Sequence, residues 1–260
     1  MKTRYGANLE GTAVLILPDV IAVAGHLLDS KANGHAIQVT AFAGYGSADS
    51  ESLEERRGTC AVMHYAWYHE RAIANDIGFV HLESAFTEEV TPIPFKQTPD
   101  AAGNVTVKVI AYSGDLSRCA ESESPLQYNS ANDSESGLNV GIHWADTTYG
   151  ASGGAVLDEK GFLVALHTGT TKVRRSDRAD TVAPANRAVA VDREGNDFGR
   201  LLYALECQHQ SLGMADSVIL APTNPEYAAR DWRPPLSESL KDGRFDDHNG
   251  RAYRWYQASV

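Results

Sequence analysis

The sequence predicts an all-β protein, a barrel or a sandwich, and three observations predict it. Short apolar or alternating runs recur through the first 190 residues; Pro, Gly and Asn-Gly turn signals separate them; and a single segment, Asp197–Cys207, carries a helical period. The first run is Gly11–Leu17 (GTAVLIL), which a Pro18-Asp19 turn folds back onto Val20–Ala24. Asn33-Gly34 is a hairpin signal, because both residues tolerate the positive φ of a tight turn, and the alternating Ala36–Ala43 follows it. Thr59–His64, Ile77–Leu82, Val105–Tyr112, Leu138–His143, Ala155–Leu157, Phe162–His167 and Arg187–Val191 read as further strands. Thr91–Gly103, with three of the ten prolines, reads as a connector between halves, and the Ser-, Glu- and Asn-rich Cys119–Gly137 as a long surface loop. Lys172–Arg178 (KVRRSDR) is a basic hairpin tip, and residues 208–260 form an irregular, proline-containing tail.

Composition narrows the function classes. Of 260 residues, 43% are hydrophobic and 22% charged, as in an ordinary globular protein able to bury a core. Acidic side chains number 34 against 23 basic ones, a net charge of −11, which argues against nucleic-acid binding because phosphate must be met by a basic surface. No apolar run has the length of a membrane span. Cys60, Cys119 and Cys207 are too few and too scattered for a disulfide framework or a zinc site, so neither metal nor cofactor is expected. The first ten residues lack the apolar region of a secretory signal, which favours an intracellular protein over a secreted one.

Three places bear chemistry. Gly150-Ala151-Ser152-Gly153-Gly154 lies directly before an apolar strand, where flanking glycines permit a sharp bend that exposes the hydroxyl and aims backbone N–H groups at one point. His26 ends the Thr12–Gly25 hairpin, and Asp76 immediately precedes a buried strand. Each alone has an ordinary reading as a turn or strand-end residue.

Taken together, in the order His26, Asp76, Ser152, they resemble the trypsin-like (chymotrypsin-fold) serine peptidases. The carrying motifs are GTAVLIL…AVAGH, NDIGFVHL and TTYGASGGAVL, over residues 10–207. The resemblance implies two six-stranded antiparallel β-barrels with a C-terminal helix and an extra tail. Residues 1–95 would form the barrel bearing His26 and Asp76, residues 96–207 the barrel bearing Ser152 and the closing helix, and residues 208–260 an extension of unknown role. It also implies roles. Ser152 is the nucleophile, His26 the base that takes and returns its proton, and Asp76 the group that orients the imidazole; the N–H groups of Gly150 and Ser152 form an oxyanion hole. The partner is a polypeptide substrate; oligomeric state stays open.

Within this family the sequence around Ser152 resembles the glutamyl endopeptidases (V8-like). Thr147, five residues before the serine, and His167, fifteen after it in Val164-Ala-Leu-His-Thr-Gly169, match that branch's substrate-binding positions. A substrate glutamate needs donors in a small pocket, and an imidazole with a hydroxyl supplies them. Asp146 lies where a basic-residue pocket would want an acid, which keeps Lys/Arg specificity open. Ala151 replaces the side chain that would pair with a freed N-terminal amine. Two other readings stand beside this one: a polyprotein-processing peptidase of the same fold, intracellular or viral, and a silent pseudopeptidase serving as a binding module.

Overall fold

Period-two burial organises the chain into strands wherever apolar side chains alternate with polar ones. The structure, a computed structural model, describes residues 1–3, 5–43, 54–99, 105–112, 119–128, 140–175, 178–192, 196, 198–199, 201–202, 204–205, 218–221, 245–246 and 252–253.

The first half contains β1 (Lys2–Thr3), β2 (Val14–Leu17), β3 (Val20–Val23), β4 (Asp29–Ser30), β5 (Gly34–Gln38), β6 (Thr40–Ala43), β7 (Glu54–His64) and β8 (Gly78–Leu82). β2, β3, β8 and β7 pair in that spatial order into a curled antiparallel sheet, with β6 on the outer part of β7, while β1, β5 and β4 form a separate small sheet. The alternating Ala36–Ala43 run is broken into two strands at Val39, whose side chain is buried and whose carbonyl accepts from the Gly58 N–H at 2.9 Å. Two short helices, α1 (Gly25–Leu28) and α2 (Tyr65–Glu70), and a 3₁₀ turn at Ile73–Asn75 fill the corners.

The second half is a closed six-stranded barrel in the order β10-β11-β14-β13-β12-β9, made of β9 (Val105–Tyr112), β10 (Cys119–Tyr128), β11 (Val140–His143), β12 (Ala155–Leu157), β13 (Leu163–Arg175) and β14 (Arg178–Ala190). Closure gives each of the six strands a neighbour on both sides, although β13 runs on past the end of β12. The region expected as a loop is corrected here: Cys119–Tyr128 is a strand, and residues 129–137 lie outside the described ones. Its outward side carries Glu121, Glu123 and Gln127, while Ser122 and Ser124 on the other side accept the Asp146 and Trp144 N–H groups at 3.2 and 2.7 Å. Serines therefore do on that face what apolar residues do elsewhere. β13 and β14 run well beyond the predicted spans and take in residues 172–175 and 178 of the basic segment expected as a hairpin tip, whose residues 176–177 lie outside the described ones.

The architecture is the chymotrypsin-like two-barrel fold, the first barrel curled and the second closed. Between them lies a shared core in which Val14, Ile16, Phe79 and Ile77 meet Leu157, Leu163, Leu166 and Val189. The proline-rich connector crosses this seam: Phe95 bridges to Leu163 and enters the core. The described residues of the predicted 197–207 helix are helical, and Phe198, Leu201 and Leu205 are buried. Phe198 meets Phe79 edge-on at 4.8 Å and Phe95 at 5.0 Å. At about 1.5–3 kcal/mol per buried large side chain, this helix is a substantial clamp on both barrels. Of the tail, Val218–Ala221 (β15) adds in parallel to β7 at Ala61–His64.

Candidate active site

β3 ends at Val23, and the chain turns through Ala24-Gly25 into α1, which holds His26. A Cβ on Gly25 would stand 2.8 Å from the Trp67 ring and 3.0 Å from the Ile77 nitrogen, so only glycine lets the backbone pass this close to the entry of β8. That approach delivers His26 to Asp76, fifty positions along the chain. The His26 N–H donates to Asp76 Oδ1 at 2.7 Å, and the ring Nδ1 lies 2.8 Å from Asp76 Oδ2. Asp76 is completely buried, whereas the His26 side chain is 28% exposed. One carboxylate thus fixes both the backbone and the ring of the same histidine.

Supporting contacts hold each partner. Trp67 stands edge-on to the His26 ring at 6.3 Å, and its Nε1 donates to the Asp29 carbonyl at 3.0 Å. Arg71 donates to the same carbonyl and pairs with the Asp29 carboxylate. Behind Asp76, Asn75 Nδ2 donates to Asn196 Oδ1 at 2.8 Å, and Asn196 Nδ2 donates to the Ala74 and Ala190 carbonyls. Asn196, which follows β14, therefore ties the Asp76 turn to the second barrel.

Ser152 arrives by backbone geometry. Gly150 and Gly153 take φ values of +93° and +89°, a region glycine enters at no steric cost. The Ala151 N–H donates to the Thr148 carbonyl, the Gly153 N–H to the His167 carbonyl at 2.7 Å, and the Gly154 N–H to the Ala151 carbonyl. The intervening N–H groups of Gly150 and Ser152 meet no backbone acceptor among the described residues. The turn docks on the first barrel: the Thr12 N–H donates to the Ser152 carbonyl at 2.8 Å, and Thr12 Oγ1 donates to the Gly150 carbonyl while accepting the Tyr112 N–H. A Cβ on Gly153 would overlap the Thr12 carbonyl oxygen and come within 3.3 Å of the Ala24 nitrogen. The serine turn is thus pressed against the chain two residues before His26.

His167 is almost fully buried, and its Nδ1 lies 3.0 Å from Nε2 of the fully buried His143. Burial pushes both rings below the ordinary histidine range, His143 to about 4 and His167 to about 3, where His143, His26 and Arg187 add their repulsion. Both are neutral at pH 7. Thr147 is half-buried, and its Oγ1 has no hydrogen-bond partner among the described residues. Asp146 is exposed, not enclosed. The Met1 amine donates to the Leu9 carbonyl at 2.7 Å. Sequence reading missed His143, Thr12 and Asn196: strand register and a long-range contact expose them, and no local motif marks them.

A buried carboxylate on an imidazole, at the seam of a curled and a closed barrel, with a glycine-bounded serine docked alongside, defines the class of chymotrypsin-fold hydrolases. A family model for trypsin matches residues 3–191, and the chain belongs to the trypsin family of serine endopeptidases. Among solved structures, that of a Glu endopeptidase in complex with MPD superposes with a TM-score of 0.56 at 18% identity, over 71% of this chain and 80% of that one, a likeness of fold. No curated protein matches the chain.

Proposed function

We propose that this serine endopeptidase works through His26, Asp76 and Ser152 and prefers glutamate, then aspartate, at the residue before the scissile bond (P1). The observation that carries the proposal is the double attachment of His26 to buried Asp76, which leaves the ring Nε2 for a second partner. Ser152 Oγ attacks the substrate carbonyl carbon as its proton passes to His26 Nε2; Asp76 holds the ring's other nitrogen and stabilises the cation formed. The N–H groups of Gly150 and Ser152 receive the developing oxyanion. Collapse expels the amine, which takes the proton from His26, and leaves an acyl-enzyme that water hydrolyses by the reverse sequence. In this reading residues 1–95 and 96–207 are the two catalytic barrels, and residues 208–260 are an addition to them.

The glutamate preference is supported by the His143–His167 pair. With the His143 Nε2–H donating to His167 Nδ1, His167 carries its proton on Nε2 as a donor for a carboxylate, and Thr147 adds a hydroxyl. The exposure of Asp146 removes the enclosed anion that a lysine or arginine pocket requires. A fluorophosphonate probe should label the protein and fail on Ser152→Ala; absence of labelling on the intact chain removes the catalytic assignment. Cleavage profiling of a peptide library should show cuts after Glu, and His167→Ala should lower kcat/KM for them by about 10–100-fold. Cuts after Lys, Arg or large apolar residues would overturn the pocket assignment.

A further inference from the structure

One cation of the second barrel has so far entered only through its repulsion of His167. Arg187 on β14 is half-buried, its Nε is sealed from solvent, and among the described residues its guanidinium has neither a hydrogen-bond nor an ion-pair partner. Half-buried and without a partner among the described residues, this guanidinium is a prepared anion site.

Its position follows from strand register. Arg187 stands opposite Gly169 on β13 and Ile142 on β11, whereas the neighbouring Ala188 stands opposite His167. A bulge at Thr168 reverses the alternation, so His167 and Gly169 belong to opposite faces of β13. Ala188 belongs to the barrel interior, and Arg187 to the outer face. Gly169 has no side chain, and the guanidinium lies 3.5–3.9 Å from where its Cβ would be. The same outer face carries Val140, Ile142, Val173 and Ala185, packed on Ile73 and Ala74, the turn that leads into Asp76. Arg187 therefore sits beside the cleft between the barrels.

β13 pairs with β12 only as far as Leu166, so beyond that residue one edge of the strand has no strand partner among the described residues. That edge begins where the His167 carbonyl holds Gly153, next to the nucleophile. An extended peptide laid antiparallel along it places successive side chains on alternate faces. When the P1 side chain takes the His167 face, the residue immediately upstream (P2) stands over Gly169, on the face of Arg187.

We propose that Arg187, reaching across the bare backbone of Gly169, forms a cationic subsite that selects Asp or Glu at P2. The proposal rests on the peptidase reading above and specifies a second substrate determinant within it. The test uses the full chain and peptides of one P1 residue that differ only at P2: Glu, Gln, Ala and Lys. The native protein should cleave the P2-Glu peptide about tenfold faster in kcat/KM than the P2-Gln isostere, and the ratio should shrink as salt rises. Arg187→Ala should bring that ratio to about one, Arg187→Lys should restore part of it, and Arg187→Glu should favour P2-Lys. Hydrolysis at equal rates for P2-Glu and P2-Gln, or a preference that survives in Arg187→Ala, overturns the subsite and leaves the peptidase reading standing. No hydrolysis of any peptide together with no fluorophosphonate labelling overturns both. The native comparison and its salt dependence need no variant, so a poorly folding substitution does not rescue the proposal.

Discussion

The two barrels deliver their shares of the proposed site by different physical means. The first uses a side chain: buried Asp76 accepts both the backbone N–H and the ring nitrogen of His26, so a carboxylate sets the position and the tautomer of an imidazole. The second uses the backbone: two glycines at positive φ bend the chain at Ser152, and the N–H groups of Gly150 and Ser152 meet no backbone acceptor among the described residues. Side-chain bonds tolerate adjustment, because rotamers can shift. A turn pressed onto the Thr12 carbonyl tolerates almost none. Among the described residues the first barrel is a curled sheet and the second is closed.

The sharpest way to break this contrast is Asp76→Asn. An amide matches the carboxylate in shape but lacks its charge, and one end of it must present N–H₂ where two donors now converge. Turnover should fall by about 10⁴-fold, as triads of this kind do on losing the carboxylate, while circular dichroism and cooperative unfolding persist. A loss of less than tenfold would show that Asp76 does not orient the base. Gly153→Ala strikes the other barrel. Here the new methyl meets backbone and the residue must hold φ near +89°, so destabilisation of about 3 kcal/mol or more is expected. Urea denaturation measures it. A change below about 0.5 kcal/mol would contradict the tight docking of the serine turn.

Acid provides a gentler probe of the same contrast. His143 and His167 belong to the second barrel and stay neutral down to about pH 4 and 3, whereas the unfolded chain protonates them near 6.5. Between those limits the unfolded state binds more protons, so stability falls as pH drops below about 6.5, by up to about 1.4 kcal/mol per pH unit for each histidine. Replacing His143 by Leu should flatten that slope relative to the native chain. Unfolding free energies at pH 7, 6 and 5 test it, and parallel pH profiles for the two proteins would refute the assignment.

Much of the fold was legible along the chain. Val14–Leu17, Val20–Val23, Gly78–Leu82, Val105–Tyr112 and Ala155–Leu157 fall where apolar alternation placed them, because each buries one or both faces. Cys119–Tyr128 was not legible, since Ser122 and Ser124 satisfy backbone donors on a face where apolar residues would have signalled a strand. α2 was hidden because its six residues, YAWYHE, are too few to display a helical period. The candidates His26, Asp76 and Ser152 were visible through their motifs, whereas His143, Thr12, Asn196 and Arg187 carry no local pattern.

By itself the sequence determined what is local: strands, from the spacing of apolar side chains, and the bend at Ser152, from glycines that alone accept positive φ cheaply. Tertiary structure decided what depends on contacts between distant segments. It joined His26 to Asp76 across fifty residues, sealed His167 against His143, and laid the Arg187 guanidinium over Gly169. The physical reason is that burial and register belong to pairs of strands, so the environment of a side chain is set by neighbours that the linear order does not name.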